Sequence, residues 1–245
     1  MRCASCRVAA VVLFVLLAGC DGVVVVRGSG GEVRGSGDVV EEDVQVSPFD
    51  RIEVSSAFVV EVATGTAPGL TLHVDDNLRD AVDVGVVGGT LRLGLRPDTN
   101  VRDATLRAEV TVTDLEAITA SGASRIMLDD RLVAEDLALS LSGASRLGAT
   151  VEFGSADVRL SGSSRTELRG EAEEVSLESS GASRAELADL RVQRLDAELS
   201  GSSSATVEVI DTLGVALSGA SDLTYSGQPT IERQEVTGAA SLSER

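Results

Sequence analysis

The sequence predicts an all-β fold, a single-stranded, right-handed parallel β-helix whose coils each take about 19 residues. Three observations predict it. A phrase of the form Ser-Gly-Ala-Ser recurs seven times, with its glycines at Gly122, Gly143, Gly162, Gly181, Gly201, Gly219 and Gly238, spaced 21, 19, 19, 20, 18 and 19 residues apart. Between these glycines apolar residues mostly alternate with Ser, Thr, Glu or Arg, the period-two signature of a strand with one buried face. Large rings are scarce: the 245 residues contain no Trp, one Tyr and four Phe, which suits a thin core better than a thick globule.

Other repeat architectures fit less well. Two short helices per unit would have to be built from Ser, Thr, Val and Gly, which are poor interior helix formers. A leucine-rich repeat would show an inward ladder of Asn or Cys, and no such ladder occurs.

The first element is a targeting segment. Arg2 and Arg7 give a positive start, Val8 to Ala18 is an unbroken apolar run, and Leu17-Ala18-Gly19-Cys20 closes it, the layout of a bacterial secretion signal. The run has 11 residues, whereas a helix across a bilayer core needs roughly 20. The closing tetrad resembles a lipobox. That resemblance implies cleavage before Cys20, a diacylglycerol on its thiol, and membrane attachment through several acyl chains of the palmitate kind, firmer than one chain provides. Asp21 resembles the residue that retains lipoproteins in the inner membrane of enteric bacteria. Residues 1–19 are therefore read as signal peptide, and 20–37 as lipidated cysteine and Gly-rich linker, the stretch Gly28 to Gly37 being "GSGGEVRGSG".

Residues 38–118 read as β-structure without the glycine phrase. "IEVSSAFVVEVATG" (Ile52 to Gly65), "LTLHV" (Leu70 to Val74), "GTLRLGL" (Gly89 to Leu95) and "AEVTV" (Ala108 to Val112) alternate or run apolar between turn signals. Asp76 to Val82 fits one short helix. Whether this part continues the solenoid or forms a separate sheet is open at this level.

Residues 119–245 hold the repeats. Each coil turns a corner at the same place, so glycine is expected where φ is positive or crowding excludes a Cβ. A hydroxyl precedes each glycine (Ser121, Ser142, Ser161, Ser180, Ser200, Ser218 and Thr237) and can bond the turn backbone. The residue after it is always Ala or Ser, expected to close the narrow corner as a column of small side chains. Each coil buries its apolar edge on the next.

Charge and cysteine content narrow the function. Without Arg2 and Arg7 the chain has 19 basic against 39 acidic residues, a net charge of −20, so nucleic acid and anionic lipid are poor partners. Cys3 and Cys6 leave with the signal and Cys20 carries lipid, so the mature chain has no disulfide and no thiol nucleophile.

Taken together, "SPFDRIEVSSAFVVEV" (Ser47 to Val62), "LTLHVDDNL" (Leu70 to Leu78), "GGTLRLGL" (Gly88 to Leu95), "LEAITASGAS" (Leu115 to Ser124) and the later coils resemble the GIN-domain family. The resemblance covers roughly Val39 to Ser241. It implies a secreted or lipid-anchored β-helical protein of the auto-transporter adhesin-head type, a family whose function is uncharacterised, with adhesion suggested by name. It supplies no catalytic residues. Only Ala239 to Arg245 follow Gly238, too few for a translocating barrel, so export by separate machinery is expected.

Catalytic inventory is thin. His73 is the single histidine, read as a solvent-facing strand residue, with Asp75 and Asp76 near it in sequence but no nucleophile motif to complete a triad. One histidine and no free cysteine argue against a zinc or iron site; scattered carboxylates such as Asp129 and Asp130 could hold calcium loosely. Three residues after the glycines stand Arg125, Arg146, Arg165 and Arg184, which a coil stack would align into a candidate binding face for an anionic polymer or carboxylate partner. Glu167 and Glu186 follow two residues on, so a solvated ladder of ion pairs is the plainer expectation.

The expectation is a lipid-anchored envelope protein without cofactor, metal or catalytic residues, a scaffold or adhesion-type binding module. Its partners would be the membrane, through its N-terminal lipid, and an envelope protein or glycan; its place the periplasmic face of the inner membrane, or the outer membrane or cell surface. The alternative is a polysaccharide-acting lyase or hydrolase using a groove of carboxylates. A solenoid face that orders ice is more remote, since Thr-x-Thr rows are missing.

Overall fold

The computed structural model describes residues 32–245, and the expected signal peptide and Cys20 lie outside them. The strands are β1 (Glu32–Arg34), β2 (Val39–Asp43), β3 (Arg51–Val54), β4 (Val59–Thr64), β5 (Gly69–Asp75), β6 (Val82–Val87), β7 (Thr90–Leu95), β8 (Asn100–Arg102), β9 (Leu106–Val112), β10 (Ala117–Ala120), β11 (Arg125–Leu141), β12 (Arg146–Leu160), β13 (Arg165–Ser179), β14 (Arg184–Leu199), β15 (Ser204–Leu217), β16 (Asp222–Ser226), β17 (Thr230–Val236) and β18 (Ser241–Glu244). One 3-10 helix, Asp76–Ala81, stands at the expected place.

These strands form a parallel β-solenoid of about seven turns with coils of about 19 residues. From β11 to β15 each strand is paired with its successor in parallel, in register apart from bulges in the β11–β12, β13–β14 and β14–β15 pairs, and Leu139, Val158, Leu177, Ala197 and Val215 form one buried column. Apolar residues alternate inward until the phase slips, between Phe153 and Ala156, between Ala172 and Val175, and twice in β14, between Leu187 and Leu190 and between Val192 and Leu195. A slip of this kind marks a bend, because two consecutive outward positions are needed to turn the chain while keeping both flanks facing the core.

The open question about residues 38–118 has a definite answer. β3 pairs in parallel with β10 and β4 with β11, so Arg51 to Thr64 is a coil of the same stack. In register, Ser56 stands where Gly122 stands above it, with φ 62°, and Ala57 follows at 66°. The corner recurs without its glycine, which is why the phrase does not announce it. L-residues in this region cost about 1–2 kcal/mol each relative to glycine. Ala57→Gly is therefore expected to stabilise the fold by roughly 0.5–1 kcal/mol in urea unfolding, the strain relieved exceeding the added chain entropy; a loss of stability would show that the corner is not strained.

Strand order departs from chain order at this end. β7 pairs in parallel with β3, and β9 with β4, so the later segment 90–112 lies beneath the earlier coil. Antiparallel strands then close the stack: β6 on β7, β5 on β9 and β2 on β5. At the opposite end β17 and β18 have no outer partner among the described residues, and Ile231 and Val236 are exposed.

Of the Gly-rich run expected as linker, the described residues from Glu32 on are held to the domain. β1 pairs with β8, Gly37 N donates to Asp75 Oδ1 (2.9 Å), and Thr105 N donates to Asp75 Oδ2 (2.7 Å). Asp75 is wholly buried, and these two N–H donors satisfy its carboxylate where water cannot. The Arg79 guanidinium, hydrogen-bonded to Glu42, holds the Glu42 carboxyl below the usual carboxylate range and ties β2 to the 3-10 helix.

Candidate functional site

The corner column and the arginine column lie side by side. At each repeat glycine φ is between 69° and 75°. A Cβ added at Gly162, Gly181, Gly201, Gly219 or Gly238 would come within 2.5 to 2.8 Å of the carbonyl oxygen of the glycine one coil below. That oxygen accepts the N–H of the residue after the glycine above, at 2.7 Å in every coil from Ala144 to Ala239. Both expected reasons for glycine, conformation and crowding, therefore act at once.

The small residues after the glycines do not close the corner. Ala123, Ala144, Ser163, Ala182, Ser202, Ala220 and Ala239 face solvent, since the turn puts two consecutive residues outside. The inside is closed by the serine two places after the glycine: Ser124, Ser145, Ser164, Ser183, Ser203 and Ser221 are all buried. Each donates its hydroxyl to the carbonyl of the residue before its own glycine, as Ser164 does to Ser161 O (2.9 Å) and Ser221 to Ser218 O (2.9 Å). That carbonyl takes no N–H from the next coil, so the side chain satisfies a turn acceptor that the ladder skips. The signal was in the phrase itself, whose last letter is Ser in six coils of seven and Ala240 in the last. Ser164→Ala is expected to cost about 1–3 kcal/mol in urea unfolding, and exposed Ser163→Ala less than about 0.5; equal costs would remove the hydrogen bond from the account of this corner.

Arg125, Arg146, Arg165 and Arg184 are exposed and consecutive in register, with Ser204 next. The expected ion-pair ladder does not form along them. Arg165 pairs with Glu186, but Glu167 is taken by Arg169, and Glu61, which neighbours Met127 in register, is taken by Arg107 (2.7 Å). Arg125, Arg146 and Arg184 have no carboxylate within 4 Å among the described residues. Beside them lies an open depression of about 470 Å³, lined by Arg125, Met127, Arg146, Leu147, Gly148, Arg165 and Glu167. Gly148 leaves a notch that the Met127 thioether leans across.

Other candidates are placed apart from this face or spent elsewhere. The His73 side chain is only 24% exposed, lying between Glu41 and Glu109, with Nε2 3.2 Å from Glu109 Oε1. Asp75, its expected neighbour, is committed to backbone donors. Asp130 accepts from Thr64 N (3.2 Å), and no three His, Cys, Asp or Glu side chains converge on a metal-sized centre among the described residues. A second depression, about 760 Å³, gathers Asp114, Glu116, Glu135, Asp136 and Asp157 around exposed Val133.

A family model described as "Putative auto-transporter adhesin, head GIN domain" matches residues 48–229. Among solved structures the chain is similar to a "putative adhesin" from Bacteroides fragilis, with TM-score 0.82 and 21% identity over 87% of this chain and 100% of that one. It is similar also to a "putative adhesin" from Parabacteroides merdae (TM-score 0.68, 18% identity, 87% and 99% covered). A third, a "putative lipid binding protein" from Parabacteroides distasonis, has TM-score 0.67 and 14% identity, with 88% and 100% covered. Identities this low carry the fold alone. No curated protein matches the chain.

Proposed function

The chain belongs to the GIN-domain family, and from that membership we propose that it is a non-catalytic, adhesion-type binding module anchored in the cell envelope. The observation that carries this reading is the lateral face itself. A sheet runs from β2 through β5, β9 and β4 into β11 to β15 and on to β16 and β18, presenting outward side chains at constant register. A rigid, repetitive surface of this kind binds extended partners through many weak contacts. The "LAGC" tetrad ending at Cys20 supplies the anchor in this proposal, and the adhesin names of the structural neighbours agree with the role.

The enzyme reading has one observation on its side, the acidic depression around Asp136. Against a polysaccharide lyase, no His, Lys or Tyr lines that depression to take up a proton, and two of its carboxylates are already paired, Glu116 with Arg51 (2.8 Å) and Asp157 with Arg159 (3.8 Å).

Cells displaying the full chain should adhere to surfaces coated with purified envelope material more than cells carrying Cys20→Ala, with no release of new sugar ends. Equal adhesion by both removes the anchored-adhesin role, and release of sugar ends makes the protein an enzyme.

A further inference from the structure

We infer that the column Arg125, Arg146, Arg165 and Arg184 is a docking strip for an acidic polysaccharide, whose carboxylates are held by guanidinium forks spaced along the coils, an assignment that rests on the binding-module reading above. Its ground is the distribution of free cations. Carboxylates outnumber basic residues 39 to 21, and the other arginines along the stack, such as Arg131, Arg159, Arg169, Arg191 and Arg194, are each drawn to one. Three of the four column arginines are not. The nearest acids, Glu61, Glu167 and Glu186, are engaged by other guanidinium groups or by Arg165, so the strip presents positive charge on an acidic molecule.

Two further features select the ligand. Stacked coils repeat at about 4.8 Å, close to the advance of one sugar unit in an extended chain, so in a twofold chain, whose carboxylates alternate sides, every second carboxylate comes level with a guanidinium fork two coils further on. At Arg125 and Arg146 the next outward column holds Met127 and Gly148 in place of acids, giving a notch with an apolar wall against which the C–H face of a sugar ring can lie.

The test is binding of the full chain to three probes in calcium-free buffer: polygalacturonate, its fully methyl-esterified form, and polyglutamate. Polygalacturonate should bind, and the ester, which keeps the sugars and loses the charge, should not. Arg125→Gln/Arg146→Gln should weaken binding at least roughly tenfold, because each lost charge-assisted pair removes a directional contact. Arg159→Gln/Arg194→Gln, which changes arginines paired with Glu178 and Glu174, should leave it unchanged. Equal binding by the Arg125/Arg146 variant overturns the strip, and equal affinity for polyglutamate overturns the sugar. If polygalacturonate does not bind while displayed cells still adhere, this inference fails and the adhesin reading stands; if both fail, both are overturned.

Discussion

Gly181→Ala is expected to destabilise the protein by about 3–5 kcal/mol, among the largest losses a single added methyl can cause. Two terms combine. The residue sits at φ 74°, where an L-side chain costs about 1–2 kcal/mol. The new Cβ would also stand 2.5 Å from Gly162 O, which accepts Ala182 N at 2.7 Å, so one coil must lift off the next and weaken that bond. Gly88→Ala separates the terms, because Gly88 has φ 59° and nothing within 4 Å of the added methyl. It should lose only about 1–2 kcal/mol. Urea unfolding of both variants decides the matter: equal losses would mean that backbone conformation alone, and not stacking, explains the glycine column.

Leu177→Ala should cost about 2–5 kcal/mol by the transfer and cavity terms together. Leu177 is fully buried in β13, between Val158 on one coil and Ala197 on the other. Ala197 is too short to reach into the space, and hydrogen-bonded coils on both sides cannot close it, so the upper part of the range is expected. Each coil touches only its neighbours, so amide exchange should rise most in β12 to β14 and least in the antiparallel cap of β2, β5 and β6. Uniform exchange over the whole stack would show that the solenoid unfolds as one unit. Val133→Ala, at a side chain 67% exposed, is the control and should stay within about 0.5 kcal/mol.

Legibility followed the repeat. In β11 to β15 each coil stacks on a copy of itself, so spacing along the chain converts directly into register between coils, and Arg125 could be aligned with Arg146 and Arg165 by counting from the glycine. The first coil was hidden because Ser56 and Ala57 adopt left-handed conformations that no residue type at those positions announces. The buried serines are part of the same phrase, but in six coils of seven two hydroxyls flank the glycine, and sequence alone favours neither as the turn's donor. In the structure the hydroxyl before the glycine reaches the coil below only at 3.5 Å in Ser161 and Ser180, while the later serine holds the turn.

By itself the sequence determined the solenoid, its period, the corner and the columns, because a local periodicity repeated many times leaves only like-on-like stacking as a way to bury every apolar edge. Tertiary structure alone decided that 90–112 slides beneath 51–64, that antiparallel strands close one end, and that Asp75 ties down the N-terminal stretch. These pairings join segments that occur once, so many partners satisfy their local pattern and the whole packing chooses among them. It also decided which arginines stay free. Carboxylates are plentiful along the chain, but an ion pair needs reach and direction within about 4 Å, and only the folded surface sets those.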